Sequence, residues 1–460
     1  MKRMDKKTTI ENLARAAHEK GGFTGVWLYA EKGEIISKGA IGMTGQTGNE
    51  PVREDMVFDL ASVSKQFTAT AIMLLRRKGL LSLEDEITKF FPELPYKGVT
   101  VRHLLNHTGG LPDYMDWVEE TAIRENTIPG NDIMIRFLCE CGKGAEFAPG
   151  EKFEYSNTGY CVLAEIVEKV SGVRFEDFLR DNIFEPAGMH ATRVYHRRKD
   201  KLTIPNLAYG LVPTDNGYIL PDDAADDDHC VVPLDGANGD GLVHSTVFDL
   251  LAWDRALREE KVLSREEQML MYTPGRLNNG EVTGAEDGED GYGFGWGIIN
   301  DQDFGLVVVH SGSWPGYYTR YERFVDADRV LIHICCRRWE DGRAFSGFWD
   351  GMDAIARDKK PEPITCIEDI TIKDPDKSRW ESFCGKYEHP EDADFLVDEV
   401  WMQDGELYAR AIDEDGDELR FRLYPIGENE FGRKGGMLKL TFGEGCVSYD
   451  DFTCKKLQGE

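Results

Sequence analysis

The sequence predicts an α+β protein with a separate all-β module at its C-terminal end, and three observations carry that expectation. Near the N-terminus, "GVWLYAEKGEIISKGAIG" alternates apolar and polar residues about a turn at Glu31, Lys32 and Gly33, the pattern of a hairpin. Several later stretches instead repeat apolar residues three or four apart, as core-facing helices do. At "KKPEPI", Lys359 to Ile364, the composition changes again. Beyond it, short alternating segments are separated by Asp-Gly, Glu-Asn and Gly-Gly turns, which suggests a small antiparallel barrel or sandwich.

In chain order, Thr9 to Lys20 is predicted helical, with Ile10, Leu13, Ala14 and Ala17 on one face. "FDLASVSKQFTATAIMLLRRKGLLSLEDEI" contains the next helix, with Phe67, Ala71, Ile72, Leu74 and Leu75 facing the core. It ends in a basic turn, Arg76 to Lys78, followed by Gly79 as the C-terminal cap. Asn131 to Cys141 is amphipathic, and Asn157 to Ser171 forms a helix closed by Gly172. Gly241 to Leu257 contains another, capped by Ser245 or Thr246. The polar stretches Pro213–Asp228 and Asn278–Gly291 are predicted to be surface loops. "YGFGWGII" and the apolar run after Gly305 are predicted strands, the run broken at Gly316-Tyr317-Tyr318 and at Asp326-Ala327-Asp328. The expected division is a domain at 1–358, a linker at 359–365 and the β module at 366–460.

At 460 residues the chain can build more than one core, and 41% apolar residues fit a folded protein. A net charge of -30 argues against nucleic acid and against anionic membrane surfaces. No apolar stretch is long enough to span a bilayer, and the N-terminus lacks the pattern of a secretory leader. A cytoplasmic protein is therefore expected, with its ten cysteines reduced. Cys139 and Cys141 have no CxxC partner and are read as thiols, not zinc ligands. The run Asp222, Asp223, Asp226, Asp227, Asp228 beside His229 lacks ligand spacing and is read as a solvated loop. Asp413, Asp415 and Asp417 imitate the start of a calcium loop. Glu418 stands where its glycine belongs and Tyr424 where its last carboxylate belongs, so a hairpin turn is expected. With no Gly-rich phosphate loop either, no metal and no cofactor are expected.

Two polar side chains interrupt the apolar helix near its start. Ser62 and Lys65, three residues apart, project from one helical face. A lysine in an apolar site loses preference for its charged form, so such a pair can be an activated nucleophile and its base. Alone, it can equally be a capping serine with a lysine one turn on. Two further motifs follow: "YSN" at Tyr155–Asn157, just before a predicted helix, and "HSGS" at His310–Ser313, ending an apolar strand.

In this order the three motifs resemble the signature elements of the serine β-lactamase and penicillin-binding-protein superfamily. The branch they are most similar to holds class C β-lactamases, D-aminopeptidases and esterases. "LLNHTGGLPDY", "APGEKFEYSNTGYCVLAEIVEKVSG" and "GLVHSTVFDLLAW" are similar to it too, so that the likeness runs from about Phe23 to Arg338. It implies a β-lactamase-like antiparallel sheet flanked by helices with a helical lobe, the active site at their junction. It also implies Ser62 as the acylated nucleophile, Lys65 sharing its proton and Tyr155 relaying that proton to the leaving group. Asn157, His310, Ser311, Gly312, Ser313 and Trp314 would face the substrate or the oxyanion, with backbone N–H groups of Ser62 and Ser313 as donors. His310 is also open to reading as a satisfied structural histidine, and His107 matches a family turn. Tyr318 would line the pocket beside Trp314.

The third motif departs from its usual form, because His310 stands where a lysine commonly meets a substrate carboxylate. Arg320 or Arg323 is the candidate replacement. The implied enzyme is a serine hydrolase acting through an acyl-enzyme on a small ester, amide or D-amino-acid peptide. The alternatives are a β-lactam-hydrolysing or penicillin-binding enzyme and, in another class, a non-catalytic scaffold of the same fold. The module from Cys366 to Glu460 resembles lipocalin-like barrels appended to some relatives, implying control of pocket access or assembly of a homo-oligomer. A small molecule or short peptide is the expected partner.

Overall fold

The computed structural model describes residues 4–214, 217–225, 227–284, 289–388, 396–412, 418–449 and 452–457. The chain forms two compact units, Thr24–Arg338 and Met1–Phe23 with Trp339–Glu460.

The larger unit is built on a seven-stranded antiparallel sheet: β1 Gly25–Glu31, β2 Glu34–Ile41, β3 Gly291–Tyr292, β4 Gly297–Asp301, β5 Gly305–Trp314, β6 Tyr317–Phe324 and β7 Arg329–Cys335. Their spatial order is β3-β4-β5-β6-β7-β1-β2, so the N-terminal hairpin pairs with the last strand. The predicted hairpin turn holds Lys32 and Gly33 at φ 50° and 80°, the left-handed pair whose twist suits a two-residue connection. A two-residue connection at Pro315-Gly316 likewise joins β5 to β6, so Tyr317 and Tyr318 lie in β6 and the predicted break moves forward. Gly25 is required where β1 meets β7, since a Cβ there would lie 2.0 Å from the Ile334 carbonyl oxygen.

The helix Lys65–Arg77 is buried continuously from Lys65 to Leu75, more than a one-faced apolar stripe requires. Phe67 packs against Phe184 and Trp253, and Trp253 Nε1 donates to Gln66 Oε1 at 2.7 Å. The helix Asn157–Ser171 ends at Gly172 as predicted, with that residue left-handed at φ 75°. In Val247–Arg258 the cap is Thr246, whose side chain accepts from Asp249 N–H.

The stretch read as a surface loop, Pro213–Asp228, is partly drawn inward. Asp222 accepts from Arg197 and Arg198, and Asp228 is buried beside Arg338. Charge pairing, invisible to local pattern, accounts for that difference. Asp226 lies outside the described residues.

In the smaller unit the helices Lys6–Gly21 and Gly342–Ala356 pack closely, with Gly21 facing Ala344 and Gly351 facing Leu13. The C-terminal module is an eight-stranded antiparallel meander running in chain order from Gly385–Lys386 to Phe452–Lys455. Its ends are joined: Glu388 N–H donates to the Lys455 carbonyl at 2.7 Å, and Leu457 N–H to the Lys386 carbonyl at 2.8 Å. Inside the barrel, Phe383 stacks on Phe442 at 4.6 Å and Trp380 meets Phe431 edge-on at 5.5 Å. Asp413, Asp415 and Asp417 lie outside the described residues.

Candidate active site

Ser62 sits in a short 3-10 turn, Ala61–Ser64, and Lys65 opens the α-helix that follows. The sequence placed Ser62 in the first turn of the α-helix itself. The tighter turn arises because Ala61, immediately before it, is left-handed at φ 47°. That conformation costs a residue with a Cβ about 1–2 kcal/mol, so it must be held. Asp59 Oδ1 accepts the Ala61 N–H at 2.8 Å, Leu60 N–H donates to the Val243 carbonyl at 2.9 Å, and Ser64 Oγ accepts from Val243 N–H at 3.1 Å. Asp59 is buried, and burial pushes its carboxyl up although His244 lies 3.7 Å away. On the other side, Gly312 abuts the turn: a Cβ there would lie 2.4 Å from the Leu60 carbonyl oxygen and 3.0 Å from Ser62 N.

Lys65 has no exposed surface, and its Nζ lies 3.0 Å from Ser62 Oγ, 2.8 Å from Asn157 Oδ1 and 3.0 Å from the Asp240 carbonyl oxygen. Asn157 is free to make this contact because Ser156 caps its helix, accepting Gly159 N–H at 3.1 Å. Tyr155 comes to Lys65 with its ring centroid 4.8 Å from Nζ. The Tyr155 ring lies against His107, tilted by 31° with centroids 4.3 Å apart, and His107 Nδ1 accepts the Ser156 N–H at 3.0 Å. Burial, then the nearby Lys65 charge, hold the His107 imidazole well below its ordinary pKa. His107 therefore serves as a neutral platform under the Tyr155–Asn157 segment.

His310 has both ring nitrogens engaged. Tyr292 OH lies 2.9 Å from Nε2 and the Ser311 carbonyl oxygen 2.5 Å from Nδ1, which makes Nδ1 the protonated nitrogen. Burial, reinforced by the Lys65 charge, brings its pKa down to about 3. Imidazole NMR is expected to show His310 neutral and Nδ1-protonated at every pH above about 4; titration near 6.5 would contradict this arrangement.

A cavity of about 340 Å³ opens over Ser62. Of the residues expected there, Ser62, Asn157, Ser313, Trp314 and Tyr318 line it; Lys65, Tyr155, His310, Ser311 and Gly312 are not among its lining residues. Sequence reasoning missed Tyr114, Asp228, Asp240 and Arg338, which also line it. The two arginines proposed as a carboxylate anchor lie elsewhere. Arg320 pairs with Glu322, and Arg323 is buried against Asp254 at 2.8 Å.

A profile of the family described as Beta-lactamase matches residues 10–344. The chain belongs to the Beta-lactamase family. As a member of that family it is a serine hydrolase with the β-lactamase-like fold expected from the motifs. Penicillin-binding protein 4* of Bacillus subtilis (strain 168) is 36% identical to this family member over 442 residues, covering 96% of this chain and 94% of that protein. The crystal structure of D-amino acid amidase from Ochrobactrum anthropi SV3 complexed with L-phenylalanine amide is similar with a TM-score of 0.59 at 26% identity, over 77% of this chain and 97% of that one. The octameric penicillin-binding protein homologue from Pyrococcus abyssi shares the fold at a TM-score of 0.64 and 22% identity, over 98% of this chain and 99% of that one.

Proposed function

We propose that Ser62 is the nucleophile, acylated by a small ester, amide or D-amino-acid peptide and then freed by water. The observation that carries this reading is the 3.0 Å contact between Lys65 Nζ and Ser62 Oγ on the cavity wall. Two fixed oxygens, Asn157 Oδ1 and the Asp240 carbonyl, accept two of the lysine's protons. The third position of the amine faces Ser62 Oγ. Ser62 Oγ attacks the substrate carbonyl while its proton enters the Lys65–Tyr155 pair. Tyr155 beside that amine relays the proton to the departing alcohol or amine. The N–H groups of Ser62 and Ser313 receive the oxyanion, and such preorganised donors are worth about 3–4 kcal/mol of transition-state stabilisation. Asn157 orients Lys65, while His310 and Ser311 brace β5 and Gly312 lets it approach the nucleophile turn. Water attacks the acyl-enzyme by the same proton route in reverse.

A burst of product equal to the enzyme concentration, followed by slower turnover of an activated ester, is expected; a linear trace with no turnover of esters or amides would oppose the proposal. Gly312→Ala tests the packing that positions Ser62. Its methyl group would meet the Leu60 carbonyl at 2.4 Å and displace the turn. Misplacement on that scale is expected to lower kcat/KM about 100-fold, read in the same ester assay.

A second reading, acylation by β-lactams, is supported by the relative named a penicillin-binding protein. A fluorescent penicillin would then label Ser62. The neutral His310 argues for slow labelling. We further propose a catalytic domain at 1–358 joined through 359–365 to the β module, a cytoplasmic location that suits ten free thiols, and a homo-oligomer, as in the octameric structural relative. Among the described residues no helix is long and apolar enough to cross a membrane.

A further inference from the structure

We propose that the cavity selects acyl groups carrying an unblocked amine, whose ammonium is received by the Asp240 carboxylate. The inference rests on Ser62 as nucleophile and names the substrate class of that site. Asp240 is tied to the reacting centre by its backbone: its carbonyl oxygen lies 3.0 Å from Lys65 Nζ, itself 3.0 Å from Ser62 Oγ. Asp240 is also one of the residues that line the cavity over Ser62. The carboxylate is held by Tyr114, which lines that cavity too and whose hydroxyl lies 3.0 Å from Oδ2.

The charge balance points the same way. Among the described residues no Lys, Arg or His side chain forms an ion pair with Asp240. Lys65 spends its contacts on Ser62, Asn157 and the Asp240 main chain. Arg338, the guanidinium on the cavity wall, is engaged by Asp228 at 2.5 Å. What Asp240 does have are neutral donors. Tyr114 OH donates to Oδ2 at 3.0 Å, and the Cys161 thiol lies beside the carboxylate. Burial, then the Asp240 charge, push both groups well above their ordinary pKa values, so both remain protonated donors. Neutral donors orient a carboxylate without cancelling its charge; a bound ammonium does both, and a charge-assisted bond in a partly dry site is among the strong ones. A substrate carboxylate beside the scissile bond, by contrast, meets a neutral His310 that does not line the cavity and an arginine already paired.

The test compares aminoacyl p-nitroanilides of both configurations, each with a free amine and as the N-acetyl derivative. The native protein is expected to favour the free amine by about 10- to 100-fold in kcat/KM, the worth of a hydrogen bond to a charged group. Asp240→Asn should bring that ratio to within about threefold of one, with Asp240→Glu keeping part of it. In the native protein, KM for the free amine should rise above pH ~8, where an α-amino group loses its proton, while KM for the N-acetyl derivative stays level. Equal handling of the two forms by the native protein overturns the proposal, as does a ratio unchanged in Asp240→Asn. Labelling of Ser62 by a fluorophosphonate is measured on the same preparations. Its failure strikes the nucleophile assignment, whereas labelling without amine preference strikes this inference alone.

Discussion

Ser62→Ala is expected to lower kcat/KM toward any ester or amide substrate by about 10⁴- to 10⁶-fold, with folding unchanged. The scale follows from nucleophile removal in other serine hydrolases, where the groups act as a unit and little but oxyanion binding survives. The substitution removes one oxygen at a part-buried position and leaves the Lys65 contacts to Asn157 and the Asp240 carbonyl in place. A methyl group there adds no clash, so thermal unfolding should superimpose on that of the native protein. Steady-state kinetics with an activated ester makes the check. Residual activity within tenfold of native would show that another group attacks the carbonyl.

Asp254→Asn carries the largest expected effect on stability. Asp254 is fully buried in the helix Val247–Arg258, where Arg323 Nε meets Oδ1 at 2.8 Å and Arg258 Nε meets Oδ2 at 3.2 Å, with Arg255 alongside. Arg323 is itself 1% exposed in its side chain, so neutralising Asp254 strands a guanidinium in the interior. Removing one partner of such a pair costs about 3–5 kcal/mol, and the urea midpoint of unfolding should fall accordingly. Burial pushes the Asp254 carboxyl up, but Arg323, Arg258 and Arg255 outweigh it, so its folded pKa lies below the ordinary value. Its stabilisation is therefore complete above the unfolded pKa of about 3.9 and disappears as pH falls through the lower folded value. The native protein should lose stability across that acid window, and Asp254→Asn should lose less there. A midpoint unchanged by the substitution would contradict this.

What was legible in the sequence and what was not divides along the range of the interaction. The hairpin turn at Lys32-Gly33, the helix Asn157–Ser171 with its Gly172 cap and the C-terminal meander are local patterns, and all appear where expected. The Ser62–Lys65 pair is local too, being three residues apart on one short segment. Bringing Tyr155 and Asn157 to Lys65 is not local, and only the combined likeness to a family pointed to it. Asp240 and Tyr114 escaped notice because each acts through a partner over a hundred residues away, and Asp240 lies in a glycine-rich stretch that reads as a turn. His310 stood open between a substrate contact and a satisfied structural histidine. Its charge is decided by burial and by Tyr292 on a neighbouring segment, and neither is written in "HSGS". Arg320 and Arg323 had the right charge in the right region, but Glu322 and Asp254 claim them.

The most direct trial of the account is intact-protein and peptide mass spectrometry after exposure to a fluorophosphonate. A single adduct on the peptide containing Ser62, absent from Ser62→Ala and slowed when Lys65 is replaced by alanine, is the predicted result. A stoichiometric adduct on any other residue, or labelling of Ser62 at the same rate without Lys65, would contradict it.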